Sequence, residues 1–308
     1  MKVSLSKLRI KIKKYVHFLI PTASSKDIIK ITNHYLLAEI AGIKTHGLNK
    51  LLWDAKDFKD NYKRKSKKIF FRDNLYSFDM NGMIGALGIE QLCDFIKRSG
   101  KNLIGVHFSN LSSYGSLFFS AYNLSLKGYS SIIFNNTDKF MSLENGKDLL
   151  GTNPICLSFA CHPPIIFDIA TSKKNISYAF DLINNSKVKA PKYTYLDKNK
   201  KYTTSPELIK YVVPMAGYKG FGLSLMIELF SGFFIKNRKL STNKKFLVSG
   251  MIFAFKSSCA NLKGANNFIN NLTERYPGRD SITNLKLAQR NNLVEISDKV
   301  YNSIYSLV

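Results

Sequence analysis

Between Leu103 and Phe134 the chain runs through an apolar segment, a helical stretch and a second apolar segment, and this alternation constrains the fold most. Leu103–Phe108 and Ser131–Phe134 are short, apolar and rich in β-branched and aromatic residues, as buried strands are. The stretch from Ser113 to about Lys127 carries helical character. Strand, helix, strand at this spacing predicts two strands paired in parallel through a helical crossover, and so an α/β protein.

The flanking sequence extends that reading. Leu8, Ile12, Val16 and Leu19 recur at helical spacing, which predicts a first helix over residues 4–20, stopped by Pro21. Ser24 or Ser25 caps a second helix whose face includes Ile28, Ile31, Leu36 and Ile40 and which closes at Gly42. A third begins after Gly47 and carries Leu48, Leu51, Leu52 and Trp53, and residues 56–68 form a basic surface connection that includes Lys63. Short strands at Ile69–Phe71 and Leu75–Phe78, a turn at Asn81-Gly82, a helix over 85–99 and strands at Ile155–Ala160 and Ile165–Ile169 follow. Residues 173–205 show little periodicity. Gly220–Ile235 is an apolar helix, Leu247–Phe255 a strand, and Leu285–Val308 a closing helical pattern. We expect a core over residues 69–269 and a helical lobe made of residues 1–68 and 270–308.

Several function classes are set aside by composition. A chain of 308 residues that is 45% hydrophobic buries a full core. Cys93, Cys156, Cys161 and Cys259 lack metal-ligand spacing and read as small buried hydrophobes, so no metal is expected and a reducing cytoplasm fits. No stretch is long and apolar enough to span a bilayer, and the N-terminus reads as an amphipathic helix, not a signal peptide. The net charge of +25 invites a nucleic-acid partner. Lys, Asn, Ile, Phe and Tyr are over-used together, however, as a drift toward A/T-rich codons produces, and the charge is spread along the chain. That argues against such a partner.

Chemistry concentrates in a few loops. His46-Gly47 sits where the chain turns after the second helix; histidine passes protons near neutral pH, and glycine lets the turn present the ring. Ser109–Gly115 leads from a strand into a helix, with Ser112 or Ser113 as the ordinary cap. Asn135–Asp138, containing Thr137, leaves the next strand at a position suited to a cofactor ribose or substrate. Gly151-Thr152-Asn153-Pro154 favours a turn with an offered hydroxyl. Asp168-Ile169-Ala170-Thr171-Ser172 ends a strand in an acid and small residues, which let a flat group approach the backbone. Gly217-Tyr218-Lys219-Gly220-Phe221-Gly222 opens a helix, where a lysine and backbone N–H groups favour a phosphate. No Gly-x-Gly-x-x-Gly links a strand to a helix.

In this order and at these spacings the last three motifs resemble the type 2 malate/L-lactate dehydrogenases, which include sulfolactate, ureidoglycolate and cyclic-imine reducing members. The resemblance runs from about Ala23 to the C-terminus and takes in Pro277-Gly278-Arg279. It implies a mixed-sheet α/β/α core of sulfolactate-dehydrogenase type, distinct from the usual dinucleotide-binding sheet, with a helical lobe from both termini. It implies NAD or NADP as cofactor, a small 2-hydroxy or 2-oxo acid as substrate, and a homodimer with the site near the subunit contact. His46 then stands as the catalytic acid/base. Thr45 replaces a family serine, Lys50 an arginine that grips the substrate carboxylate, and Ser113 a second family histidine. Thr137, Thr152, Asn153, Asp168, Ile169, Ala170, Lys219 and Gly220 fall at cofactor-contact positions. Glu144-Asn145-Gly146 stands where the family has paired glycines, and Ser177-Tyr178 where it has Gly-Lys. Those departures also fit a relative that binds dinucleotide but has lost its chemistry.

Overall fold

The computed structural model describes the chain except residues 63, 145, 147–149, 185–187, 234–246, 257–258, 273–274 and 307–308, and the side chains of 71, 184, 259–263 and 272. Lys63, Asn145, Leu149, the end of the helix expected over 220–235, the last two residues of the closing helical pattern and the side chain of Cys259 lie outside the described residues.

The chain opens with β1 (Lys2–Ser4) and α1 (Leu5–Leu19), where the Ser4 hydroxyl accepts from Lys7 N–H. Next is α2 (Ser25–Ile40), capped by Ser24 accepting from Asp27 N–H at 3.2 Å. A tight turn over Lys44–His46 leads into α3 (Leu48–Asp54), and α4 (Phe58–Tyr62) ends this segment. Leu8, Ile12 and Val16 on α1 and Ile31 and Leu36 on α2 are fully buried, as their spacing predicts.

The central elements are β2 (Lys67–Arg72), β3 (Leu75–Asp79), α5 (Gly85–Ser99), β4 (Leu103–Leu111), α6 (Phe118–Ser125), β5 (Tyr129–Asn135), β6 (Ile155–Phe159) and β7 (Ile165–Ile169). Then come α7 (Ile176–Asn184), β8 (Tyr195–Leu196), β9 (Tyr202–Thr203), β10 (Tyr211–Val212), α8 (Tyr218–Gly232), β11 (Val248–Lys256) and α9 (Cys259–Leu272). Seven strands form one mixed sheet in the order β2-β3-β4-β11-β5-β6-β7. The mixed α/β core is as expected, but the pairing of β4 with β5 is not. β11 lies between them, antiparallel to both, so β4 and β5 run the same way without touching. The run from Val248 to Ile252 is buried throughout, which suits a central position, and Gly250 lets β11 approach so closely that a Cβ there would meet the Phe134 carbonyl at 2.3 Å.

Three further differences have local causes. The helix expected from Ser113 begins only at Phe118, because Gly115 has a φ of 89° and breaks the helical run. The 173–205 segment is structured: α7 packs with β8 and β10 around Ala179, Leu182, Tyr195 and Val212, and β8–β10 make a separate three-stranded sheet. The closing helical pattern splits into α10 (Arg279–Asn291), β12 (Leu293–Glu295) and α11 (Asp298–Tyr305), because Asn292 turns left-handed at φ 50°.

β12 pairs antiparallel with β1, while α10 packs on α2 and α11 on α1, bringing the termini together. Their apolar residues, such as Leu8, Leu285 and Val300, are continuous with the core under α5 and α6. The opposite face of the sheet receives α8, whose Ile227 meets Phe134 and Met251. The ends of β4 and β7, the α2–α3 turn and the start of α8 are thereby positioned by buried structure.

Candidate active site

His46 closes the turn between α2 and α3. Gly42 ends α2 at φ 85°, and the His46 N–H donates to the Ile43 carbonyl at 2.9 Å. Its Nδ1 lies 3.2 Å from the Thr45 hydroxyl. Behind it sits Gly115, where a Cβ would be 3.4 Å from the His46 Cβ. Burial holds the imidazole below its ordinary pKa; Thr45 and the Asp168 and Asp54 charges oppose that shift, and Lys50 adds to it.

Asp168, near the end of β7, is the counterpart. Its carboxylate accepts from the Ser116 hydroxyl at 2.6 Å and from the Phe118 N–H at 2.9 Å, at the start of α6. Burial raises its pKa, while Ser116, Phe118 and the facing His46 pull it down. Two groups distant in sequence thus share one electrostatic environment, with Gly115 and Ser116 between them. Ser116 was missed in the sequence, although a serine two residues before a helix is a familiar cap; its hydroxyl also accepts from Phe118 N–H at 3.1 Å.

Lys50 lies one turn along α3, and its ammonium is 2.5 Å from Asp54 Oδ1. Asp54 also accepts from the Tyr35 hydroxyl at 2.7 Å, so Lys50 is already engaged. Thr45 is half-buried and Ser113 is exposed. The Ser112 and Ser113 carbonyls press on Gly85, where a Cβ would come within 2.3 Å of both.

The 151–154, 168–172 and 214–222 segments meet. Thr171 donates twice to the Thr152 carbonyl, from N–H and hydroxyl, both at 3.0 Å. The Thr171 carbonyl accepts from Met215 N–H at 2.9 Å, and Gly220 packs so tightly that a Cβ would lie 2.5 Å from that same carbonyl. Asn153 is fully buried. Its Oδ1 accepts from Thr137 N–H at 2.8 Å, and its Nδ2 donates to the Ser224 carbonyl at 3.0 Å and to Glu228 at 3.2 Å. Asn136 also donates to Glu228, and Ser224 to the Gly151 carbonyl. Glu228 and Ser224 carried a faint signal: polar residues within an otherwise apolar helix.

Ile169 and Ala170 are half-buried at the strand end, and Lys219 is exposed at the start of α8. Space opens here, since a Cβ at Gly217 or Gly222 would meet nothing within 4 Å. The N–H groups of Lys219, Gly220 and Phe221 already donate to the Ala216, Met215 and Gly217 carbonyls. An anion at this end would therefore be held chiefly by the Lys219 ammonium. Among the described residues no group of three or more His, Cys, Asp or Glu is placed to hold a metal, and no helix is long and apolar enough to cross a membrane.

The sequence and the fold are similar to those of known dehydrogenases. The chain is 25% identical over 224 residues to a malate/(S)-sulfolactate dehydrogenase of Methanothermus fervidus, covering 69% of this chain and 65% of that protein. It is 24% identical over 207 residues to the NAD(+) ureidoglycolate dehydrogenase of Escherichia coli K12, covering 63% and 58%. The matches thus span less than two thirds of these relatives' lengths. Among solved structures, sulfolactate dehydrogenase from Methanocaldococcus jannaschii superposes with a TM-score of 0.82 at 18% identity, over 99% of this chain and 95% of that one. Malate dehydrogenase from Entamoeba histolytica gives 0.85 at 15%, over 100% and 97%. The sequence pattern of the malate/L-lactate dehydrogenases matches residues 19–302, and the chain belongs to that family.

Proposed function

We propose that this protein is a nicotinamide-dependent oxidoreductase acting on a small 2-hydroxy or 2-oxo acid, with NAD or NADP as cofactor. The observation that carries this reading is the convergence of the 151–154, 168–172 and 214–220 loops beside His46. The residues fit such a cofactor. Small side chains end β7, open space lies before Gly217, and Lys219 offers a cation for a phosphate or ribose. The cofactor supplies the hydride chemistry, and the protein contributes placement and the proton.

In reduction, protonated His46 donates to the carbonyl oxygen that becomes the hydroxyl; in oxidation the neutral ring removes that proton. The Asp168 carboxylate favours the charged imidazole and so offsets the burial that disfavours it. Ile169, Ala170, Lys219 and Gly220 border the cofactor, while Thr137, Thr152 and Asn153 brace the loop beside it. Lys50 meets the substrate carboxylate only by sharing itself with Asp54. A single ammonium lacks the two-pronged fit of a guanidinium, so this grip is weak.

That ion pair, with the exposed hydroxyl of Ser113, favours a second reading in which the dinucleotide still binds but turnover is poor. Fluorescence titration with NADH and NADPH, followed by steady-state reduction of pyruvate, oxaloacetate and a cyclic imine, separates the two. Binding with turnover supports the enzyme, and binding without turnover supports the second reading. Silence toward both cofactors ends both.

A further inference from the structure

Glu39 lies near the end of α2 and is only 2% exposed. A carboxylate so deeply placed must be paired. Its Oε1 accepts from Lys44 Nζ at 3.0 Å, and its Oε2 from the backbone N–H of Leu48 at 2.9 Å. Lys44 precedes His46 by two residues and Leu48 follows it by two. Between them, a Cβ on Gly47 would lie 2.4 Å from Glu39 Oε2 and 2.8 Å from Glu39 Cα, so the turn rests directly on the helix. Lys44 Nζ also donates to the Glu295 carbonyl in β12, tying the turn to the C-terminal segment.

We propose that Glu39 is a positioning residue for His46: its carboxylate grips the 44–48 turn on both sides of the histidine and keeps the ring packed on Gly115 and facing Asp168. Glu39 acts entirely through the turn and is not itself a proton donor to substrate. The inference rests on the reading of His46 as the acid, and its test includes a measurement independent of turnover.

Glu39→Gln keeps an acceptor for Leu48 N–H and loses the charge pair; Glu39→Ala loses both; Lys44→Met removes only the lysine. Each variant is followed by thermal melting, NADH and NADPH titration, kcat and KM, and NMR titration of the His46 ring. Glu39→Ala should lower kcat by about 10- to 100-fold, as a misplacement near 1 Å does. Cofactor affinity should hold, and the His46 pKa should rise toward the ordinary imidazole value as the ring gains water. Glu39→Gln should recover most of kcat. A folded Glu39→Ala protein with unchanged kcat and an unmoved His46 titration overturns the proposal. So does a lowered melting temperature with neither kinetic nor NMR change, because that is a merely structural role. Should Glu39→Ala fail to fold, Lys44→Met decides by the same NMR shift: a rise supports the clamp and its absence refutes it. Full turnover in His46→Gln would instead sink the reading of His46 as acid, while the NMR result would still report on the clamp.

Discussion

His46 and Asp168 carry opposite perturbations from the same cause. Burial disfavours charge on each, lowering the histidine and raising the aspartate, and each partly restores the other. The sign of the pH dependence follows. The lowered pKa leaves the ring neutral at pH 7, so oxidation should rise with pH through an apparent pKa below 6.5 and level off near neutrality. Reduction should fall over the same window. Replacing Asp168 by Asn removes a charge that lifts the histidine, so the pKa limb should move to lower pH, which a pH–rate series for the variant checks. A limb that stays put or moves upward would mean the carboxylate does not act on His46. His46→Ala should cost about 10²- to 10⁴-fold in kcat at unchanged cofactor affinity, the span of a lost general acid. His107 is the contrasting histidine: its rings nitrogens meet Ser77 at 2.9 Å and the Ser231 carbonyl at 3.1 Å inside the core, where it joins strands to α8.

At the scale of elements, the middle of α8 and the 151–154 turn hold each other through Ser224 and Glu228. Asn153→Ala leaves the buried turn without the acceptor for the Thr137 N–H and removes one of the donors to Glu228, and should destabilise by about 1–3 kcal/mol in denaturant unfolding. Gly220→Ala forces a methyl to within 2.4 Å of the Met215 carbonyl and should cost a similar ~1–3 kcal/mol while weakening cofactor binding. Melting unchanged in both would show that the loops are not braced as described. Elements of this kind were legible in part. α5 follows its periodicity, with Leu92, Cys93 and Ile96 buried, and α1 and α2 end where serine caps, Pro21 and Gly42 place them. The order of strands was not legible, because β11 reaches its place between β4 and β5 by pairing with residues more than a hundred positions earlier. The loops that bear glycine announced themselves by composition. Glu39 and Ser116 did not, since a carboxylate or hydroxyl reveals its role only through the backbone it meets in space, and Glu228 stood out only faintly within its apolar helix.

Over the whole molecule, the sheet is covered unequally. α8 packs chiefly on β11, β5 and β4 on one face and meets β6 only around Ile155 among the described residues, short of the Leu157–Phe159 end of that strand. There Leu157 and Phe167 sit opposite each other in register, 42% and 41% exposed, beside Phe159 at 40%. The flank of α8 adds Met226 and Leu229, also exposed. Exposed apolar side chains paired across two strands suit a partner, and a second copy related by a twofold axis would cover the same residues on both chains at once. The homodimer expected from the family resemblance is therefore proposed to form here, with the Asp168 end of β7 beside the contact. Leu157→Arg with Phe167→Glu should turn a dimer into a monomer in sedimentation velocity. Its melting temperature, extrapolated to low protein concentration, should match that of the unaltered chain, because neither side chain contributes much to the core of one subunit. Dimer persistence in the double variant would place the contact elsewhere, and a monomeric unaltered chain would remove the need for it. The distribution of charge is consistent with such a contact: Lys14, Lys127, Lys201, Lys256 and Lys286 are exposed on segments spread along the chain, while Leu157, Phe159 and Phe167 are uncharged. A dimer formed by this face should therefore change little between low and high salt, whereas one held by charges would weaken as they are screened.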